Sequence, residues 1–131
     1  MPISRMNPPT LHANPAFAQV VVADHVKQVV YVGGQNAIHP DGTVIGPDLA
    51  AQTELALGNV LRALEAAGCT PHDVVQLKVY AVAGHDLREA FAVAQRVWTG
   101  PPSALTVLIV AGLANPQFLV EIEATAVITS R

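Results

Sequence analysis

A chain of 131 residues has the length of one domain and can bury roughly two-thirds of its unfolded surface without disulfides or metals to staple it. Charged residues make up 13% and apolar residues 51%, so the surface is short of charge, and part of it is expected to close against further copies of the chain. The net charge of -3, seven scattered cations and a single cysteine give no basic track for nucleic acid, no intramolecular disulfide and no paired thiols for a metal.

Residues 1–16 are rich in Pro and Asn and are expected to form an extended arm with little regular structure. This start has no charged-then-apolar leader of the secretory kind, and no stretch reaches the length of about 18 uncharged apolar residues that spans a membrane. A cytoplasmic protein without membrane contact is the expectation. The Val-rich runs 17–23 and 28–33 flank Asp24-His25-Val26-Lys27 and predict a β-hairpin. Gly33-Gly34 closes the second strand, and Pro40-Asp41-Gly42 and Gly46-Pro47 mark residues 36–47 as a turn-rich loop with at most a short strand at 43–45.

Pro47-Asp48 opens a helix in which Leu57, Val60, Leu61 and Leu64 recur at i, i+3, i+4 and i+7, with Gly68 as its stop. Residues 73–82 alternate polar and apolar and predict a strand with one face partly wet. Asp86 and Glu89 have capping-box spacing for a second helix, which turns Leu87, Ala90, Phe91, Ala94, Val97 and Trp98 toward the core before Gly100-Pro101-Pro102. A short apolar strand at 104–110 and a last strand at 118–128, after the turn at 114–117, complete the chain.

This is an α+β order in which two helices can cover only one face of a mixed sheet. The other face has no cover within one chain, so a closed symmetric oligomer with sheets packed around its axis is predicted.

In the last strand Val120, Ile122 and Ala124 share one face, and Glu121, Glu123 and Thr125 share the other. Residues 97–130 contain no Lys, Arg or His, so both carboxylates lack a cation nearby in sequence. An ionised carboxylate buried without a partner is costly, so this face must reach water, a second subunit or a ligand. Glu121 is the candidate catalytic group, and Glu123 is expected to be structural, paired across the sheet with Lys78 or an arginine. The five histidines fall in loops or turns without metal-ligand spacing, so neither a metal nor another cofactor is expected. Cys69 has no activating neighbour in sequence and reads as a bystander thiol.

Gly33-Gly34-Gln35, Asp48-Leu49-Ala50-Ala51-Gln52, Leu57-Gly58-Asn59-Val60, Glu65-Ala66-Ala67-Gly68 and Val120-Glu121-Ile122-Glu123-Ala124 follow one another in an order that resembles the YjgF/RidA family over residues 17–128. The resemblance implies a chorismate-mutase-like α+β fold, a homotrimer, and small-molecule clefts between adjacent subunits. It also implies hydrolysis of reactive enamines and imines to 2-oxo acids and ammonia. The family's water-positioning glutamate falls on Glu121. Its carboxylate-clamping arginine, in a Pro-x-Arg segment, falls on Ala104 of Pro102-Ser103-Ala104, its tyrosine on Phe17, and a frequent serine on Gly33.

The cleft around Glu121 is accordingly expected to be lined by Phe17, Gly33, Gly34, Ala104, Leu105 and Thr106. Loss of a guanidinium contact costs about 1.5–3 kcal/mol, which favours a neutral or amine-bearing ligand over an anionic one. Two readings follow, a hydrolase acting on a non-standard imine and a small-metabolite binding or sensing trimer without turnover. The ribonuclease activity attributed to some relatives finds no basic track here, and no His or Lys close to the glutamates in sequence.

Overall fold

Leu57, Val60 and Leu64 are buried along one stripe of α1 (Leu49–Ala66), which Asp48 caps by accepting the Ala51 N–H and which gives way at Gly68, where φ is 77°. The computed structural model describes residues 2–130 and lays this stripe on a four-stranded sheet. The strands are β1 (Ile3–Met6), β2 (Val20–Ala23), β3 (Val26–Gln35), β4 (Val74–Val82), β5 (Ala104–Val110) and β6 (Val120–Thr129), with α2 (Leu87–Val97) between β4 and β5. The main sheet runs β3-β6-β4-β5. β6 is antiparallel to both its neighbours and β4 is parallel to β5, so the sheet is mixed and α2 is the crossover that a parallel pair requires.

Register separates the two faces. Leu77, Ala81, Val120, Ile122, Ala124 and Ala126 are buried on the face toward the helices. Lys78, Tyr80, Thr106, Leu108, Glu121 and Glu123 stand on the opposite face, together with Val29 and Tyr31 of β3. That second face is uncovered within the chain: Val29 and Leu108 are each 48% exposed and Tyr31 is 79% exposed.

The chain departs from expectation at its start. Residues 3–6 form a strand antiparallel to β2, with Ile3 opposite Ala23, and the arm is therefore regular where an irregular one was expected. The predicted hairpin between β2 and β3 does not form, because the two strands lie in different sheets. Tight hairpin turns need positive φ at the first central residue; in the corner Asp24-His25 only His25 has it, at 55°. The Asp24 N–H donates instead to the Pro2 carbonyl at 2.7 Å, and Ser130 donates to the His25 carbonyl at 2.8 Å, so β3 enters the β6 ladder at once.

Arg5 ties the arm down. Its guanidinium donates to the carbonyls of Pro102, His72 and Val74 at 2.6, 2.9 and 3.1 Å, and burial lowers its pKa from the ordinary value. The short strand considered at 43–45 is reduced to one bridge, Ile38 to Val44. In α2, capped by Asp86, the apolar side is less sealed than its pattern predicts: Ala90 alone is fully buried, and Phe91 is 45% exposed.

Candidate functional site

Glu121 sits on a bulge. Val32 faces Ala124 and Gln35 faces Ile122, so Gly33 and Gly34 together occupy the space opposite Glu123. A Cβ on Gly34 would collide with the Glu121 carboxylate, so glycine is what lets the carboxylate lie against the β3 backbone. No atom comes within 4 Å of the corresponding position on Gly33.

From the other side Asn36 donates its amide to the Val120 carbonyl at 2.9 Å and to Glu121 Oε1 at 3.2 Å. Asn36 is itself held from α1, because Asn59 Nδ2 donates to the carbonyls of Asn36 and Ile38, both at 2.9 Å. Arg62 donates to Asn59 Oδ1 at 2.6 Å and completes a relay from helix to carboxylate. One oxygen of Glu121 is thus oriented by a neutral amide, and no guanidinium or ammonium bonds to it among the described residues.

Glu123 has a different partner from the one expected. Lys78 is its register partner, yet the bond comes from Tyr80, whose hydroxyl donates to Glu123 Oε1 at 2.6 Å. The ion pair found among the described residues is Arg96–Glu54, out in solvent. Sequence suggested a cation because charge was the only partner visible there. In space, a phenol one pleat along the neighbouring strand reaches the carboxylate diagonally. That hydrogen bond raises the pKa of Tyr80 above its ordinary value, with desolvation and the charges of Glu123 and Glu121 acting in the same direction.

The chain brings Glu121 and Gly34 together, with Gly33 beside them in the bulge, and leaves Phe17, Ala104, Leu105 and Thr106 apart. Ala104 and Thr106 share the Glu121 face, but Leu108 is the β5 residue level with Tyr80 and Glu121. Ala104 is four positions away, about 13 Å along the strand and two strands over. Strand alternation sends Leu105 to the opposite face, where it and Phe17 line a cavity under α2. Phe17 is carried there by the Ala18–Ala104 bridge and meets the ring of His12 edge-on at 5.9 Å. No three His, Cys, Asp or Glu side chains converge as metal ligands would among the described residues. Cys69 is buried, and its pKa is raised first by burial and then by the charge of Asp73.

The chain matches, over residues 10–128, the family model described as endoribonuclease L-PSP. It is 34% identical to YyfB of Yersinia pestis, described as a member of the conserved Rid protein family and of unknown function, with a TM-score of 0.87 over 98% of this chain and 100% of that one. The chain belongs to the YjgF/RidA family. A YjgF-family protein from Mycobacterium tuberculosis is 28% identical, with a TM-score of 0.62 over 96% of this chain and 99% of the other. The YjgF gene product of E. coli, at 24% identity and a TM-score of 0.69, shares the fold over 88% of this chain and 95% of its own. No curated protein matches the chain by sequence.

Family membership makes Asn36, Asn59 and Tyr80 the informative additions to the site. Asn36 follows Gly33-Gly34-Gln35 directly, and Asn59 lies within Leu57-Gly58-Asn59-Val60, so both stand in or beside segments that carried the resemblance. Tyr80 was visible on the wet side of its strand. What sequence could not show is that it lies one strand from Glu123, 43 residues away.

Proposed function

We propose that this RidA-family chain works as a homotrimer whose inter-subunit clefts take a small neutral or amine-bearing imine or enamine and hydrolyse it. The supporting observation is Glu121, fixed by Asn36 over the side-chain-free surface of Gly34, on a sheet face with no cover in its own chain. Because Ala104 and Thr106 stand well away from Glu121 within one chain, a cleft containing all three must draw on two subunits. Such a cleft would also cover the exposed Val29, Tyr31 and Leu108.

In the reaction, Glu121 takes a proton from water as the water oxygen bonds to the imine carbon. That proton passes to nitrogen to give a carbinolamine. The carbinolamine's hydroxyl proton then moves through Glu121 to nitrogen as the carbon–nitrogen bond breaks, so that a carbonyl product and ammonia or an amine leave. An enamine enters the same course once protonated on carbon to its imine. Tyr80, whose hydroxyl donates to Glu123, keeps oxygen lone pairs that can accept from an amine group of the ligand. Ala104 stands where the resemblance places the clamp arginine, so carboxylate-bearing imines such as 2-aminoacrylate are poor substrates in this reading.

The test is ammonia release from a panel of neutral imines and from 2-aminoacrylate. Turnover of a neutral imine, abolished by Glu121→Gln, supports the proposal; 2-aminoacrylate turnover as fast in wild type as in Ala104→Arg contradicts the reading of Ala104. A second reading, a non-catalytic metabolite binder, is favoured by the same alanine and predicts ligand-induced thermal stabilisation with no product formed. The ribonuclease of the family model's description is not carried to this chain, whose few cations are scattered.

A further inference from the structure

On the side of the sheet away from Glu121, the helix layer does not close. α2 packs against α1 and stands off the strands beneath it, leaving a cavity of about 660 Å³ between its apolar side, β4, β5 and the N-terminal segment. Leu77, Val79, Leu105 and Val107 form part of its floor, and Ala94 and Trp98 part of its wall. Phe17 lines the end where the arm comes in.

The lining has no charged side chain among the described residues. Its buried hydroxyls are already engaged: Thr53 donates to the Leu49 carbonyl at 2.7 Å and Ser103 to the Val74 carbonyl at 3.1 Å. The Asn14 carboxamide oxygen accepts the Ala16 N–H at 2.8 Å. Water inside would find few partners, since an ordered water needs two to four polar groups. The volume lies within the range of about 300–1,000 Å³ typical of small-molecule pockets. Gln95 and Asn14 are the exposed polar side chains at the rim, and of the two Gln95 projects from α2, the helix that roofs the cavity.

We propose that this cavity is a second binding site, for an uncharged and largely apolar molecule of about bicyclic aromatic size that bears one hydroxyl or carbonyl group toward Gln95. It lies on the opposite side of the sheet from Glu121 and does not depend on the reading of that residue. A carboxylate of the same shape is disfavoured, because no cation in the lining offsets the hydration it gives up on entering an apolar pocket.

The experiment titrates 2-naphthol into the purified full chain, by calorimetry and thermal unfolding, beside 2-naphthoate at neutral pH. One 2-naphthol per chain, with a saturable rise in Tm and no response to 2-naphthoate, is the expected result. Ala94→Trp fills the cavity and should weaken 2-naphthol binding by at least about tenfold while unfolding remains cooperative. Val107→Phe, which intrudes from the floor, serves if the tryptophan variant does not fold. Glu121→Gln, on the far face, should bind 2-naphthol as wild type does. Absence of saturable 2-naphthol binding, equal binding of 2-naphthoate, survival of binding in both filling variants, or its loss in Glu121→Gln would each overturn the proposal.

Discussion

The two faces of the main sheet are completed by different means. Under α1 the helix face is dry and filled: Val60, Leu64, Val74 and Ala126 are 0% exposed. The opposite face carries Glu121 and Glu123, each held by one neutral donor, among apolar residues that nothing in the chain covers. Between these extremes lies the strip under α2, apolar on both sides and unfilled. Alternation along a strand or helix thus decides which side is apolar, while a second element must arrive to seal it. Here one helix seals its strip, one stands off, and nothing in the chain covers the remaining face.

The contrast within the helix layer is sharpened most strongly by truncation. Leu64→Ala, in the filled part, is expected to destabilise by about 2–5 kcal/mol, and Phe91→Ala, on the half-exposed side of α2, by under about 1 kcal/mol. Denaturant titrations with unchanged slope would measure both, and equal losses would show that α2 is as tightly packed as α1.

Arg5→Ala should come next. Removing the donor to three carbonyls is expected to cost about 1–3 kcal/mol and to speed amide exchange in β1 and β2 while leaving β4 and β6 protected. Exchange unchanged in β1 would mean that the arm is held by its strand pairing alone.

Gly34→Ala should separate stability from function on the Glu121 face. The atoms that an added Cβ meets belong to the Glu121 side chain, which can swing away, and Gly34 is not among the residues with positive φ. Stability is therefore expected to change by less than about 1 kcal/mol. Ligand binding or turnover at Glu121 should be lost, and retention of both in a folded variant would remove Glu121 from the site.

The smallest effect concerns Tyr80. Its folded pKa is raised above the ordinary value of about 10, so its contribution to stability is present at neutral pH and is lost as pH rises through that folded value. A phenolate absorbance titration should show a late-titrating tyrosine that disappears in Tyr80→Phe and moves earlier in Glu123→Gln. Titration of Tyr80 at or below its ordinary value would mean that the bond to Glu123 is not kept in solution.

Much of this architecture is readable from residues alone. The recurrence of Leu57, Val60, Leu61 and Leu64 between Asp48 and Gly68 specifies α1, and the bounds of β5 follow from the Pro and Gly residues around it. The placement of Glu121 and Glu123 on one face follows from the pleat. The pairing of β2 does not, because Val-rich strands that are apolar on both faces accept more than one neighbour and Asp24-His25 is no strong turn signal. Asn36 and Tyr80 were missed because their bonds span 85 and 43 residues and depend on sheet order. The cavity was missed because an amphipathic pattern in α2 shows where its apolar side lies and not how closely the sheet approaches it.

The most direct measurement is the solution mass of the purified chain by sedimentation equilibrium at micromolar concentration, for wild type and for Leu108→Glu on the uncovered face. A mass of three chains for wild type, falling in the variant, is the expected result. A single-chain mass for wild type would contradict the claim that neighbouring copies cover the Glu121 face and complete its cleft.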